Sequence, residues 1–136
     1  MKENLTHSRT CVYNINYHVV WAVKHRRAIL TEDVEAQLKQ WANEIAKDKG
    51  FIIHQFEAGD GDHVHCFISA PPKLSVTDIV KNLKGVLGRK LFYYNPEIKK
   101  KLWEGQLWNH SYYVETIGSI SEDTIKKYIE KQSKSY

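Results

Sequence analysis

The stretch FIIHQFEAGDGDHVHCFIS, Phe51 to Ser69, decides how this chain folds. Both of its ends, Phe51 to Ala58 and His63 to Ser69, carry Phe, Ile and Val at strand-like density. Gly59-Asp60-Gly61-Asp62 between them are turn formers. The stretch predicts a hairpin of two antiparallel strands, ended by Pro71-Pro72.

Working outward, CVYNINYHVVWAVK (Cys11 to Lys24) is rich in Val, Tyr, Ile and Trp and predicts one long strand. KHRRAIL (Lys24 to Leu30) is a basic turn. Thr31 is a plausible N-cap, followed by Glu32 and Asp33 at the positive helix end. Val34, Leu38, Trp41 and Ile45 recur at helical spacing until Gly50. Downstream, a second helix is predicted from Ser75 to about Tyr94, before Asn95-Pro96, with Lys99 to Lys101 in a charged connector. QLWNHSYYVETIG (Gln106 to Gly118) reads as a strand broken near Asn109. Ser121 opens a last helix over about 121–134, with Glu122 and Asp123 in its first turn.

The element order is β-α-β-β-α-β-α in one domain covering residues 1–136. Two βαβ crossovers around a central hairpin predict an α+β, ferredoxin-like split βαβ. Its sheet is antiparallel with two helices on one face. The C-terminal helix is additional to that plan.

The chain has 136 residues, 42% apolar and 26% charged, enough for one core without staples. No apolar run is long enough to span a bilayer, and MKENLTHSRT has no apolar signal region. Two cysteines, Cys11 and Cys66, make no disulfide framework or CxxC pair, so a cytoplasmic location with reduced thiols is expected. The net charge of +4 and pI of 9.0 permit a nucleic-acid partner.

His63 and His65 are the chemical feature of the hairpin. In a strand, residues i and i+2 share a face, about 7 Å apart. Both imidazoles therefore look one way, while Val64 and Cys66 look the other. Two histidines on the wet side of an antiparallel sheet satisfy this pattern, and so do two ligands of one metal. A metal site needs a third ligand. On the last helix, Ile125, Tyr128, Ile129 and Gln132 share one face. Gln132 offers an amide oxygen suited to Mg²⁺ or Mn²⁺, and Tyr128 a phenol one turn away. Tyr128 also reads as an interface aromatic and Gln132 as a solvated side chain. On the second helix, Lys81, Lys84, Gly85, Gly88 and Arg89 lie opposite the apolar arc of Ile79, Val80, Leu83, Leu87 and Leu91. That face either solubilises the helix or lets a phosphate backbone come close.

Taken together, YHVVWAVKHRRAIL, GDHVHCFIS, SVTDIVKNLKGVLGRKLF, LWNHSYYVETIG and SEDTIKKYIEKQ resemble, in this order and spacing, the IS200/IS605-family transposases. These are single-tyrosine members of the HUH nuclease superfamily, with Val64 here as the central hydrophobic residue. The resemblance implies a ferredoxin-like sheet, and it implies His63, His65 and Gln132 as ligands of a divalent metal, Mg²⁺ or Mn²⁺. It implies Tyr128 as the nucleophile that forms a 5′-phosphotyrosine, and a single-stranded DNA substrate with hairpins at transposon ends. It also implies a homodimer, and DNA contacts from Lys24, Arg26, Arg27, Lys81, Lys84 and Arg89. A non-catalytic nucleic-acid-binding module on the same kind of sheet is the alternative. His18, His25, His54 and His110 receive no metal role, and Cys66 is expected in the core.

Overall fold

The computed structural model describes residues 5–102, 105–121 and 123–127. Its main sheet has four strands: β3 (Asn16–Ala22), β4 (Ile52–Ala58), β5 (His63–Ser69) and β6 (Tyr113–Ile117). Their spatial order is β4-β5-β3-β6, and every neighbouring pair is antiparallel. That is the split βαβ arrangement, with the expected hairpin β4–β5 at one edge. A separate small hairpin pairs β1 (Thr6–His7) with β2 (Val12–Tyr13).

Two long helices cover one face. In α1 (Glu32–Lys49), Thr31 Oγ1 accepts from the Val34 amide at 3.3 Å, and Gly50 ends the helix in the left-handed region, φ 89°. In α2 (Val76–Tyr94), Ser75 Oγ accepts from the Asp78 amide at 3.1 Å. The buried arc of α2 is Ile79, Val80, Leu83, Leu87 and Leu91, as its periodicity requires. With Val34, Leu38, Ala42 and Ala46 of α1, it packs on Val19, Trp21, Phe56, Val64, Cys66 and Ile68 of the sheet. Trp41 and Ile45 flank the α1 core stripe and are only half-buried.

Three expectations need correction. The long strand from Cys11 is interrupted: Asn14 and Ile15 separate β2 from β3. Its continuous pairing stops at Ala22, beyond which Val23 keeps one isolated bridge, to Trp108. Val23 N–H donates to Asp62 O at 2.9 Å and Lys24 N–H to Leu107 O at 2.8 Å. The chain then turns through Lys24–Arg26, with His25 and Arg26 at positive φ. Second, Lys99 to Lys101 are not a plain connector but the end of a short helix, α3 (Pro96–Lys101), which opens on Pro96. Third, the strand expected from Gln106 does break near Asn109, but its first part is a single bridge between Trp108 and Val23 and its second, β6, is shorter than expected. The intervening loop is drawn onto α2. Lys84 Nζ donates to the carbonyls of Asn109, His110 and Ser111 at 2.7, 3.4 and 3.3 Å. Trp108 Nε1 donates to Lys84 O at 2.9 Å, lying across Gly88, which presents no side chain.

The last helix is described over residues 123–127. Ser121 Oγ accepts from the Thr124 amide at 3.1 Å, in agreement with its role as N-cap. Tyr128 and Gln132 lie outside the described residues.

Candidate functional site

The sheet face away from α1 and α2 carries the histidines. Across the register, His63 sits opposite Ala22, His65 opposite Val20 and Phe67 opposite His18. In antiparallel pairs directly opposed residues share a face. The expectation that His63 and His65 point together therefore holds, and Val64 and Cys66 point into the core beneath the helices. They are not wet-face residues, because His63 is 6% and His65 4% exposed.

The two imidazoles are prepared differently. His63 Nδ1 lies 2.7 Å from Asp62 Oδ1. An ionised carboxylate only accepts, so the proton is on Nδ1 and the lone pair of the neutral ring is on Nε2. That is how a carboxylate orients a metal-ligating histidine. Burial by itself would raise the Asp62 carboxyl. The hydrogen bond from His63 and the Arg26 guanidinium, whose Nε donates at 3.2 Å, outweigh it and hold the group below its ordinary value. The His63 ring lies flush against Gly59, where a Cβ would overlap ring atoms Cε1 and Nε2. His65 has its pKa lowered to about 4, by burial first and then by the neighbouring His18 and His63. It is neutral at physiological pH, the form that binds metals. Its buried Nδ1 has no hydrogen-bond partner among the described residues.

Could the pair hold one ion? The ring centroids are 6.0 Å apart. A ligating nitrogen at 2.0–2.1 Å puts a ring centre about 3.2 Å from the ion, so one ion allows a separation of up to about 6.4 Å. The separation is within reach of one ion at a wide angle, about 140° between the two nitrogens, and the carboxylate-oriented tautomer and the unpartnered His65 nitrogen fit a metal. They supply two ligands. Among the described residues, no cluster of three or more His, Cys, Asp or Glu is placed to complete the set.

Sequence reasoning set His18 aside, yet it belongs to this face. Its ring stacks on Phe67 at 4.5 Å and meets His65 edge-on at 6.1 Å. His18 Nδ1 lies 3.4 Å from Glu115 Oε1, and Tyr113 OH donates to Glu115 Oε2 at 2.8 Å. Only the alternation of β3 and β6 hinted at this, and alternation does not say which residue stands opposite which.

The six basic residues divide into two groups. Lys24 is bonded to the Gln106 side-chain oxygen, Arg26 to Asp62, and Lys84 to the three loop carbonyls. Burial lowers the Lys84 pKa. Arg27, Lys81 and Arg89 have exposed side chains. Arg89 borders a shallow cleft of about 350 Å³ between Gly85 and Gly88 of α2 and the wall of Phe92, Leu107 and Trp108. No helix among the described residues is long and apolar enough to cross a membrane.

The geometry finds its counterparts among known proteins. Residues 11–132 match the family described as Transposase IS200 like. The chain is 40% identical over 124 residues to the ISDra2 transposase TnpA of Deinococcus radiodurans, covering 91% of this chain and 88% of that protein. It is 29% identical over 133 residues to the IS200 transposase of Salmonella typhimurium, covering 96% and 85%. A crystal structure of a putative transposase from Deinococcus radiodurans superposes with a TM-score of 0.76 at 36% identity, over 93% of this chain and 97% of that one. A REP-associated tyrosine transposase, solved bound to a REP hairpin, shares the fold with a TM-score of 0.61 at 14% identity, over 96% and 74%. The histidine hairpin, the four-stranded sheet and the span of these matches place the chain in the IS200-like transposase family.

Proposed function

We propose that this transposase cleaves and rejoins single-stranded DNA at hairpin-marked transposon ends, with Tyr128 as nucleophile and His63, His65 and Gln132 as ligands of a divalent ion. The observation that carries the reading is the buried His63–His65 pair, with one ring oriented by Asp62 and the other held neutral. A bound Mg²⁺ or Mn²⁺ supplies positive charge that polarises the scissile phosphate. The Tyr128 oxygen attacks phosphorus, the P–O3′ bond breaks, and the phenol proton passes to solvent. The products are a 5′-phosphotyrosine and, after protonation of the leaving oxygen, a free 3′-OH. Attack by another 3′-OH breaks the tyrosyl bond and joins new ends. A phosphodiester is exchanged for a phosphodiester at each step, so no nucleotide hydrolysis is needed.

Asp62 and Gly59 serve this chemistry by holding His63 in place. Exposed Arg27, Lys81 and Arg89 are the first phosphate contacts of the hairpin. Lys24, Arg26 and Lys84 add their charge from the bonded positions described above, and Lys84, with three carbonyls around its ammonium, is the most committed of them. The hairpin in the structure of the REP-associated protein supports a hairpin partner here. A homodimer is part of the same reading, the tyrosine helix of one subunit being free to complete the histidine site of the other.

The test is incubation with Mg²⁺ and a single-stranded oligonucleotide carrying the transposon-end hairpin. A covalent protein–DNA adduct should form, vanish with EDTA and be absent in Tyr128→Phe. An adduct that persists in Tyr128→Phe refutes the nucleophile. Hairpin binding indifferent to EDTA with no adduct at all points instead to a non-catalytic binding module.

A further inference from the structure

We infer that Asn14 and Asn16 are positioning residues for cleavage, which anchor the exit of β6 so that the segment carrying Tyr128 starts from a fixed point. The inference rests on the tyrosine reading proposed above.

A line of side-chain hydrogen bonds crosses the end of the sheet. His54 Nε2 lies 2.7 Å from Ser69 Oγ, and Ser69 Oγ lies 2.5 Å from Asn16 Oδ1. Asn16 Nδ2 lies 2.7 Å from Asn14 Oδ1 and 3.5 Å from Ile117 O. Asn14 Nδ2 lies 3.1 Å from Gly118 O. The line begins on β4, passes β5 and β3, and ends on the carbonyls of Ile117, the last residue of β6, and of Gly118 just after it.

The direction of each bond follows from what the groups can do. Asn16 Oδ1 only accepts, so the single Ser69 hydroxyl proton must go to it. Ser69 Oγ then has only lone pairs for His54, so His54 Nε2 carries the proton. Asn14 Oδ1 accepts from the Asn16 amide, and its own amide has only carbonyl oxygen to face at Gly118. Every link donates the same way, from β4 toward β6. Bonds aligned head to tail strengthen one another. Asn16 and Ser69 are buried, so their polar atoms cannot trade these partners for water without cost.

What does the line hold? β6 stands at the sheet edge and pairs only with β3. Its last register pair is Asn16 with Ile117. An edge strand that ends in Ile117-Gly118 frays unless something grips it. The two asparagine amides grip both carbonyls. The next fixed point is the Ser121 cap, and Tyr128 follows ten residues after Gly118 in the sequence. A Cβ at Gly118 would meet nothing within 4 Å, so no side-chain packing fixes that residue. Ile117 is also held by its burial and its pairing with Asn16, so the hold on Gly118, one residue further on, is the part the Asn14 amide supplies. A small displacement at the root of the segment becomes a misplaced nucleophile, and such misplacement costs rate rather than affinity.

Asn14 is half-buried and terminal in the line, so Asn14→Ala removes the grip on Gly118 and the acceptor of the Asn16 amide, while the His54–Ser69–Asn16 links stay in place. Two measurements test the role. Without DNA, amide hydrogen exchange over residues 113–121 should quicken about tenfold in Asn14→Ala while the β3–β5 peptides stay unchanged. With saturating hairpin oligonucleotide and Mg²⁺, the rate of adduct formation should fall about tenfold or more at unchanged hairpin affinity, and Asn14→Gln should recover part of it. Unchanged exchange overturns the anchoring. An unchanged rate, or a rate that falls only in step with hairpin affinity, overturns the positioning role. A wild-type chain that forms no adduct refutes the tyrosine reading and the positioning role with it. The exchange result still decides whether the amides hold the strand exit.

Discussion

Replacing Gly59 by alanine should disable the proposed metal site while leaving the fold standing. The new Cβ would overlap Cε1 and Nε2 of His63. Carbon atoms approach comfortably to about 3.5 Å, so the ring must withdraw by about 1 Å. The His63–Asp62 bond, 2.7 Å long, does not survive a shift of that size. Metal–ligand distances tolerate only about 0.2 Å. Loss of an orienting partner typically costs about 10–100-fold in metal affinity, and displacement of the ligand itself should reach at least the upper end. The backbone at Gly59 is not in the left-handed region, so alanine adds no dihedral strain. The stability cost should stay near the single lost hydrogen bond, about 1–3 kcal/mol. Calorimetric titration with Mn²⁺, thermal melting and hairpin binding by fluorescence anisotropy separate these effects. Weaker Mn²⁺ binding with hairpin affinity retained is the expected result. Wild-type Mn²⁺ affinity in Gly59→Ala would refute the assignment of His63 as a ligand.

Three further outcomes follow from the same geometry. Lys84→Met should lower stability by about 1.5–3 kcal/mol, because three carbonyls lose a charged donor, and urea unfolding reads this directly. Gly85→Ala meets only Arg89 Nη1, at an ordinary 3.5 Å. It should stabilise α2 by up to about 1 kcal/mol in thermal melts yet weaken hairpin binding, since it fills the approach to the cleft. In thiol titration of the native protein, Cys11 should react and Cys66 should not, because burial raises the Cys66 thiol far above its ordinary value and no surface of it is exposed. Both should react after unfolding.

Much of the fold could be read before any coordinates. Thr31, Gly50 and Ser75 cap the helices where their chemistry demands, and the apolar arc of α2 buries the residues its period selects. These are local properties, set by neighbours within one or two turns. The errors came where a distant group claimed the backbone. Lys84 holds the 109–111 loop on α2, so a strand predicted from Gln106 begins only at Tyr113. Beyond Ala22 the pairing of β3 dwindles to bonds from Val23 to Asp62 and from Lys24 to Leu107 before the chain turns away at His25 and Arg26.

The same division runs through the site. Period-two alternation already puts His63 and His65 on one face behind an acidic turn, while the helical spacing of Tyr128 and Gln132 lies outside the described residues. The packing of the strands settles that both histidines are buried, that Asp62 sets the tautomer of one, and that His18, itself beside Glu115, meets the other edge-on. The tertiary structure alone showed Lys84 committed to a loop and Asn14 gripping Gly118. Strand alternation has period two, and that much is written in the chain. The register of one strand against the next depends on contacts fifty to a hundred residues apart, which no local pattern encodes.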